Sequence, residues 1–222
     1  MTRLLDLFVF DLAGTTVVDD GHVLEAFLRT AEAFDLPADA AALKPRMGWH
    51  KQRVFEVLLG EAGRETALAP ELAQRFELEF ARRADQHPLR PTPGARETIE
   101  RLVAMEIAVA FNTGFSRATA DLVLARLGWG GFTSVASDEV TRGRPAPDLI
   151  ERTMELLGLN EPRRVGVVGD TPADLMAGTA AGCRFVVGVG HGAFALHQLR
   201  HAPHTHLVAD LHGLKDLIDA LD

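Results

Sequence analysis

Six short apolar runs constrain the fold of this 222-residue chain more than any other feature of its sequence. Each run is rich in β-branched or aromatic residues and is followed by a polar or glycine-containing turn and a helical pattern. The runs are largely continuous rather than alternating, which is typical of parallel strands buried on both faces. The pattern therefore predicts an α/β fold with a parallel sheet. The runs lie at residues 4–11, 107–113, 132–137, 164–170, 185–189 and 206–210.

The segment between the first and second runs breaks this alternation, because it has helical patterns but no convincing strand. It is flanked by "VVDDG" at residues 17–21, which ends in glycine, and by "HPLRPTPG" at residues 87–94, which is rich in proline, and both segments are predicted hinges. We therefore expect a helical cap domain over residues 18–91, inserted into a discontinuous core of residues 1–17 and 92–222. A cap in this position would cover the crevice at the carboxyl ends of the strands, where open α/β sheets bind ligands, and could exclude water from it.

The composition excludes several classes of function. The 31 acidic residues outnumber the 23 lysines and arginines, and the net charge of −8 disfavours nucleic acid as a partner. No apolar segment approaches the ~18 residues that cross a membrane. Cys183 is the only cysteine, so no intrachain disulfide can form and a cytoplasmic location is expected. A small anionic metabolite remains possible as a partner, since a few local cations or a metal can outweigh an acidic surface.

Polar side chains follow four of the predicted strands at the point where each strand ends. Asp11 ends the first, Thr113 the second, Arg144 lies in the loop after the third, and Asp170 and Asp174 follow the fourth. The carboxyl ends of parallel strands meet at one edge, so we expect these side chains to converge. Three carboxylates there can hold a hard cation such as Mg²⁺. Thr113, Arg144 and helix N-terminal amides can donate hydrogen bonds to a phosphoryl group.

Four segments in this order, "DLAGT", "NTG", "GRPAPD" and "GDTPADLMAG", resemble the four motifs of the haloacid dehalogenase superfamily over the whole chain. The resemblance implies a Rossmann-like, doubly wound core with a helical cap, Mg²⁺ dependence and an aspartyl-phosphate intermediate. It makes Asp11 the nucleophile and a metal ligand. The main-chain carbonyl of Ala13 and the carboxylate of Asp170 are the further ligands it implies, with Asp174 supporting the metal indirectly.

Ala13 departs from the superfamily's phosphate-ester hydrolases, which usually carry a second acid at this place to protonate the leaving alkoxide. "DLAGTT" and "GRP" look most like the phosphonoacetaldehyde hydrolase (phosphonatase) and phosphonatase-like subgroup. Cleavage of a C–P bond needs an electron sink rather than that acid, and the subgroup obtains it by condensing a cap lysine with the substrate aldehyde. Lys51 matches the subgroup's M-G-x-x-K pattern with Met47 and Gly48, whereas Lys44, the other cap lysine, does not.

A histidine that follows the subgroup's lysine by three residues is replaced here by Val54. His22 and His50 lie nearby in sequence and are candidates to take over its proton handling. The expected catalytic residues are thus Asp11, Lys51, Thr113 and Arg144, and the expected substrate-binding residues are Thr15, Met47, Gly48, Gly114 and His22.

Three functions remain open at this point. The first is Mg²⁺-dependent hydrolysis of phosphonoacetaldehyde or a related small phosphonate through a Lys51 Schiff base. The second is a P–O phosphatase that acts on a small phosphate ester such as phosphoglycolate, with a cap histidine or a water molecule for acid–base work. The third is an inactive member that only binds a phosphorylated metabolite. The resemblance also suggests a homodimer formed through the cap.

Overall fold

The fold is seen in a computed structural model that describes residues 4–220, so the first three and the last two residues of the predicted core lie outside the described part. All six predicted strands are present, and each begins and ends within three residues of its predicted bounds. They are β1 (Leu7–Asp11), β2 (Ala108–Asn112), β3 (Thr133–Val135), β4 (Val165–Gly169), β5 (Phe185–Val189) and β6 (His206–Val208).

The strands form one parallel sheet in the order β3-β2-β1-β4-β5-β6. Phe8 and Phe10 of β1 are buried in a hydrophobic cluster on one face of the sheet, and Leu7 and Val9 are buried in a second cluster on the other face. Burial on both faces explains why the strand sequences are continuously apolar. The flanking helices of this core are α5 (Ala95–Ala104), α6 (Arg117–Leu127), α7 (Asp148–Leu156), α8 (Pro172–Ala180), α9 (Leu196–Leu199) and α10 (Lys215–Asp219).

The topology of the sheet determines where a ligand can bind. From β1 the chain proceeds outward through β2 and β3, and it then returns to the other side of β1 to form β4, β5 and β6. The order reverses between β1 and β4, and ligands of open α/β sheets bind in the crevice outside the carboxyl ends at such a point. Asp11 is the last residue of β1 and Asp170 directly follows β4, so both acids lie at this crevice.

The segment inserted after β1 is helical, as predicted. Its phenylalanines pack against one another, with ring centroids 4.6 Å apart for Phe27 and Phe76 and 5.3 Å apart for Phe27 and Phe55. Phe80 reaches the core and lies 4.8 Å from the ring of Phe115. Its helices are α1 (His22–Ala33), α2 (Ala40–Leu43), α3 (Lys51–Glu61) and α4 (Ala69–Gln86).

The two connections between the insert and the core run side by side. The N–H of Val18 donates to the carbonyl of Arg90 at 3.0 Å, and the N–H of Thr92 donates to the carbonyl of Thr16 at 3.0 Å. These pairs hold both predicted hinge segments at one place. The domain boundaries themselves stay a prediction, because one hydrophobic cluster extends from the insert into the core.

Across residues 4–220, the helices are all too short or too polar to cross a lipid bilayer.

Candidate active site

A cavity of about 40 Å³ lies between the insert and the carboxyl edge of the sheet. That volume has room for roughly three water molecules, at ~10–15 Å³ each, so only a small substrate fits without movement of the insert. Core and insert both contribute to its wall. Its core residues are Asp11, Ala13, Gly14, Thr113, Gly114, Phe115, Asp170, Thr171 and Ala193, and its insert residues are Asp19, Val23, Met47, Gly48 and Lys51.

Arg144 links two of the buried acids at the core side. Its Nη1 lies 2.5 Å from Oδ1 of Asp11 and 2.6 Å from Oδ1 of Asp174, and its Nη2 donates to the carbonyl of Asn112 at 2.8 Å. All these side chains are at most 7% exposed, so the guanidinium neutralises carboxylates that are shielded from water. Its predicted phosphate-binding role stays a prediction, since it is paired here with the predicted nucleophile.

Asp170 is held by hydrogen bonds from two loops. Its Oδ1 accepts from the hydroxyl of Thr15 at 3.0 Å, and its Oδ2 accepts from the N–H of Ala193 at 2.6 Å. A Cβ at Gly14 or Gly192 would lie 2.2 Å or 2.1 Å from Oδ2, so only glycine allows both loops to approach this carboxylate. Thr15, predicted to bind substrate, here orients Asp170.

Asp174, the third carboxylate of the predicted metal site, has partners within the protein. Asp174 directs Oδ1 to Arg144, and its Oδ2 accepts from the N–H and the hydroxyl of Thr171 at 3.0 and 2.6 Å. Within residues 4–220, no three His, Cys, Asp or Glu side chains are grouped as a metal site. Both carboxylate oxygens of Asp174 thus have partners within the protein, where they support Arg144 and the start of α8, and its predicted role toward a metal stays a prediction.

Asp11, Asp170 and the main-chain carbonyl of Ala13 are the other ligands predicted from the sequence, and their assignment also stays a prediction. Burial raises the pKa of Asp11 to about 6 against the lowering effect of Arg144, and burial with the charges of Asp11 and Asp174 raises the pKa of Asp170 well above its usual value. Crowded carboxylates of this kind are relieved by a cation. Two carboxylates and a carbonyl are hard oxygen donors, which fit Mg²⁺ with several retained waters.

Lys51 begins α3 and is only 8% exposed. Its Nζ donates to the carbonyl of Trp49 at 3.3 Å and lies 4.9 Å from the ring centre of Phe115 and 5.7 Å from those of Phe27 and Phe76. Burial lowers the pKa of Lys51 to about 8, although Asp11 opposes this shift. The amine is therefore desolvated in an aromatic environment on the wall of the same cavity as Asp11.

Two glycines bring the lysine to the core. Gly48 has a φ of +83°, and a Cβ there would lie 2.7 Å from the hydroxyl of Thr171. A Cβ on Gly114 would lie 2.6 Å from the carbonyl oxygens of Gly48 and Trp49. The loop before Lys51 can rest on the core only because both positions lack a side chain. Met47, Gly48 and Gly114, predicted to bind substrate, all line the cavity.

The histidines proposed for proton handling lie elsewhere. Among the described residues, the cavity wall includes neither His22 nor His50. His22 is 2% exposed, with its ring 6.1 Å from Phe80 and 6.4 Å from His87, and burial lowers its pKa. His50 faces a separate groove beside Arg144. The structure thus does not bring either histidine to the predicted substrate position.

Asp19 lines the cavity, although sequence reasoning treated its surroundings only as a hinge. Its Oδ1 accepts from the N–H of Val23 at 3.0 Å. Burial raises the pKa of Asp19 to about 6, while the Val23 N–H and the charge of Lys51 lower it. The available sequence signal was an acid just before a helix, which is also typical of a simple helix cap.

Comparison with known proteins agrees with the resemblance seen in the sequence motifs. A family model described as "haloacid dehalogenase-like hydrolase" matches residues 5–182. The chain is 30% identical over 201 residues to phosphonoacetaldehyde hydrolase of Hahella chejuensis, covering 83% of this chain and 68% of that protein. It is 29% identical over 203 residues to the probable phosphatase IndB of Dickeya dadantii, covering 88% of this chain and 86% of that protein.

Solved structures show the same fold. The crystal structure of a phosphonoacetaldehyde hydrolase-like protein from Oleispira antarctica superposes with a TM-score of 0.85 and 21% sequence identity, covering 98% of this chain and 92% of that chain. At this level of identity, the superposition supports the architecture of a doubly wound core with a helical insert.

Proposed function

The chain belongs to the haloacid dehalogenase-like hydrolase family, and we propose that within this family it cleaves the C–P bond of phosphonoacetaldehyde or a related small phosphonate. Its membership confirms that the chain is a hydrolase rather than a binding protein only, and its curated relatives bear out the resemblance to the phosphonatase subgroup. The observation that carries the proposal is the desolvated amine of Lys51 on the wall of the cavity that also holds Asp11.

The surroundings of Lys51 suit a nucleophilic amine. With a pKa of about 8, about a tenth of the lysine is neutral at pH 7, whereas an exposed lysine of pKa about 10.4 is neutral in fewer than one molecule in a thousand. Only the neutral amine can attack a carbonyl carbon. A solvated lysine that merely begins a helix would not be buried against three phenylalanine rings.

In the proposed reaction, the Nζ of Lys51 attacks the aldehyde carbon, and loss of water gives an iminium. A carboxylate oxygen of Asp11 then attacks phosphorus. The P–O bond forms while the C–P bond breaks, and the electron pair of that bond moves into the iminium to give an enamine. Protonation of the enamine carbon and addition of water release acetaldehyde and regenerate Lys51. A second water releases phosphate from Asp11.

The core residues provide for the phosphoryl group. Asp11, Asp170 and the carbonyl of Ala13 would hold Mg²⁺, which when bound neutralises charge so that a carboxylate can approach a phosphoryl anion. Thr113 is 2% exposed and lines the cavity, where it can donate to a phosphoryl oxygen. The side chain of Ala13 carries no acid, and this reaction requires none there because no alkoxide leaves.

A P–O phosphatase is the second candidate. The core residues serve that reaction equally well, and the relative of this chain with the more complete overlap is named a probable phosphatase. In that case Lys51 would bind or position the substrate but form no covalent bond. A homodimer through the cap and a cytoplasmic location are further proposals, and they rest on the resemblance and on the single cysteine.

Phosphate release from phosphonoacetaldehyde and from phosphoglycolate, with Mg²⁺, separates the two candidates. We expect the wild type to cleave the phosphonate, and Lys51→Ala to lose this activity by about 10³-fold or more, because no electron sink forms. Lys44→Ala is the matched control, since this exposed insert lysine lies over Phe194 instead of in the cavity. Cleavage of the ester that persists in Lys51→Ala, with none of the phosphonate by the wild type, would establish the phosphatase instead.

A further inference from the structure

The proposed reaction requires a group that carries protons beside Lys51. When the amine has added to the aldehyde, the carbinolamine hydroxyl can leave as water only if it receives a proton. Ala13 and Val54, which replace the expected acid and the expected histidine, have no titratable group. His22 and His50 are absent from the cavity wall formed by the described residues.

Three carboxyl groups of the described chain line the cavity, and two of them already have other partners or roles. Asp11 is paired with Arg144 and is the predicted nucleophile. Asp170 is held by Thr15 and Ala193 against the core. Asp19 is the third, and it alone belongs to the insert side of the cavity, the side from which Lys51 projects.

The carboxylate of Asp19 is held by the start of α1, which begins three residues later. Its Oδ1 accepts from the N–H of Val23 at 3.0 Å in the first turn of α1, which leaves the other carboxylate oxygen for a ligand. The charged groups that act on it are Lys51 of α3, Arg83 of α4 and its neighbour Asp20. Asp20 has its own partner, because its side chain pairs with Arg90 at 2.6 Å.

We propose that Asp19 is the general acid–base group of this site and exchanges protons with the adduct that Lys51 forms with the substrate. This inference rests on the proposed C–P reaction. The Asp19 carboxyl gives its proton to the carbinolamine hydroxyl, the C–O bond breaks, and the nitrogen lone pair forms the C=N bond. The Asp19 carboxylate then lies beside the positive iminium. In imine hydrolysis it takes a proton from the attacking water, which restores the carboxyl.

The acidity of Asp19 suits this exchange. A pKa of about 6 keeps both protonation states populated near neutral pH, and general acid–base groups work best when their pKa lies near the operating pH. Such a group contributes about 10²–10⁴-fold in rate. The proton handling that Val54 cannot provide would thus come from Asp19, at the start of the insert.

The test compares Asp19→Asn with Asp20→Asn, the same change at the next residue. Asn keeps an oxygen for the Val23 N–H and removes only the titratable group, and Asp19→Ser is a second variant that also keeps an acceptor. Two rates are measured with phosphonoacetaldehyde and Mg²⁺: phosphate release, and inactivation by borohydride, which reports imine formation. We expect both Asp19 variants to lower both rates about 100-fold, and Asp20→Asn to stay within about twofold of the wild type.

Each other outcome has one meaning. Failure of the wild type to cleave the phosphonate would overturn the proposed function and this inference with it. A wild type that cleaves it, with Asp19→Asn indistinguishable from Asp20→Asn, would overturn the inference alone. Slower phosphate release with unchanged borohydride inactivation would also contradict it, because Asp19 would then act after the imine. If neither Asp19 variant folds, Asp19 is a structural cap and the inference falls.

Discussion

The two walls of the cavity handle charge in different ways. On the core wall, Asp11 is paired with Arg144, which also pairs with Asp174. Asp170 accepts hydrogen bonds from donors in two loops. On the insert wall, the amine of Lys51 donates to a main-chain carbonyl and lies over three phenylalanine rings, with ring centres 4.9–5.7 Å away. The core wall thus surrounds its carboxylates with a cation and polar donors, although burial still raises the pKa values of Asp11 and Asp170. On the insert wall, burial lowers the pKa of Lys51 and so favours its neutral amine.

This difference suggests that the two walls serve different parts of the proposed reaction. Phosphoryl transfer needs charged groups and is common to both candidate reactions, so the core wall alone does not distinguish them. Chemistry on the carbon side of the substrate needs a neutral amine and a proton carrier, and the insert wall has Lys51 and Asp19. The choice between a C–P hydrolase and a phosphatase is therefore expected to depend on the insert.

The largest effect should follow from Asp11→Asn. The amide cannot attack phosphorus, so hydrolysis of phosphonate and ester alike should fall by at least about 10⁴-fold. The fold should persist, because the change removes one of three crowded buried carboxylates. Phosphate release and circular dichroism check both points. Residual ester hydrolysis within tenfold of the wild type would refute the role of the core wall.

Removal of the metal should affect phosphate release but not imine formation. A chelator is expected to lower phosphate release about 10³-fold, since a metal ion at such a site contributes several kcal/mol. Borohydride trapping of the imine should survive, because Lys51 and Asp19 need no cation. Added Mg²⁺ should restore phosphate release. Equal loss of trapping and of phosphate release would mean that imine formation at the insert wall depends on the metal at the core wall.

Gly114→Ala tests the contact between the walls. Its new Cβ would lie 2.6 Å from two main-chain oxygens of the loop that precedes Lys51, so that loop must shift. A displacement of about 1 Å can cost 10²-fold in rate, and we expect a loss of that order in phosphonate cleavage. Gly130→Ala, which has nothing within 4 Å of its Cβ, is the control. An unchanged rate in Gly114→Ala would show that the lysine does not depend on this contact.

Lys51→Met should alter stability in a pH-dependent way. The pKa of Lys51 falls from 10.5 to about 8 on folding, so between these values the unfolded chain binds more protons and wild-type stability rises with pH. We expect this rise, about 2 kcal/mol between pH 8 and 10, to be absent in Lys51→Met and present in Lys44→Met. Urea unfolding at both pH values measures it. A rise that persists in Lys51→Met would mean that the lysine is solvated.

The sheet, and the edge at which its polar residues meet, could be predicted because they follow from local patterns. Continuous apolar runs mark buried parallel strands, and the acids that follow them must lie at the carboxyl ends. The pairing of Asp174 could not be predicted, because it depends on where a loop places Arg144. The positions of His22 and Asp19 depend on how α1 is rotated against the other insert helices, and tertiary packing alone decides this.

The most direct test of the central claim is to find which residue borohydride labels. The wild type is treated with phosphonoacetaldehyde, Mg²⁺ and borohydride and then digested, and the modified peptide is identified by mass spectrometry. We expect a reduced substrate or product adduct on Lys51 and on no other lysine, with loss of activity in proportion to labelling. Phosphate release from the phosphonate without any adduct, or with the adduct on Lys44, would contradict it.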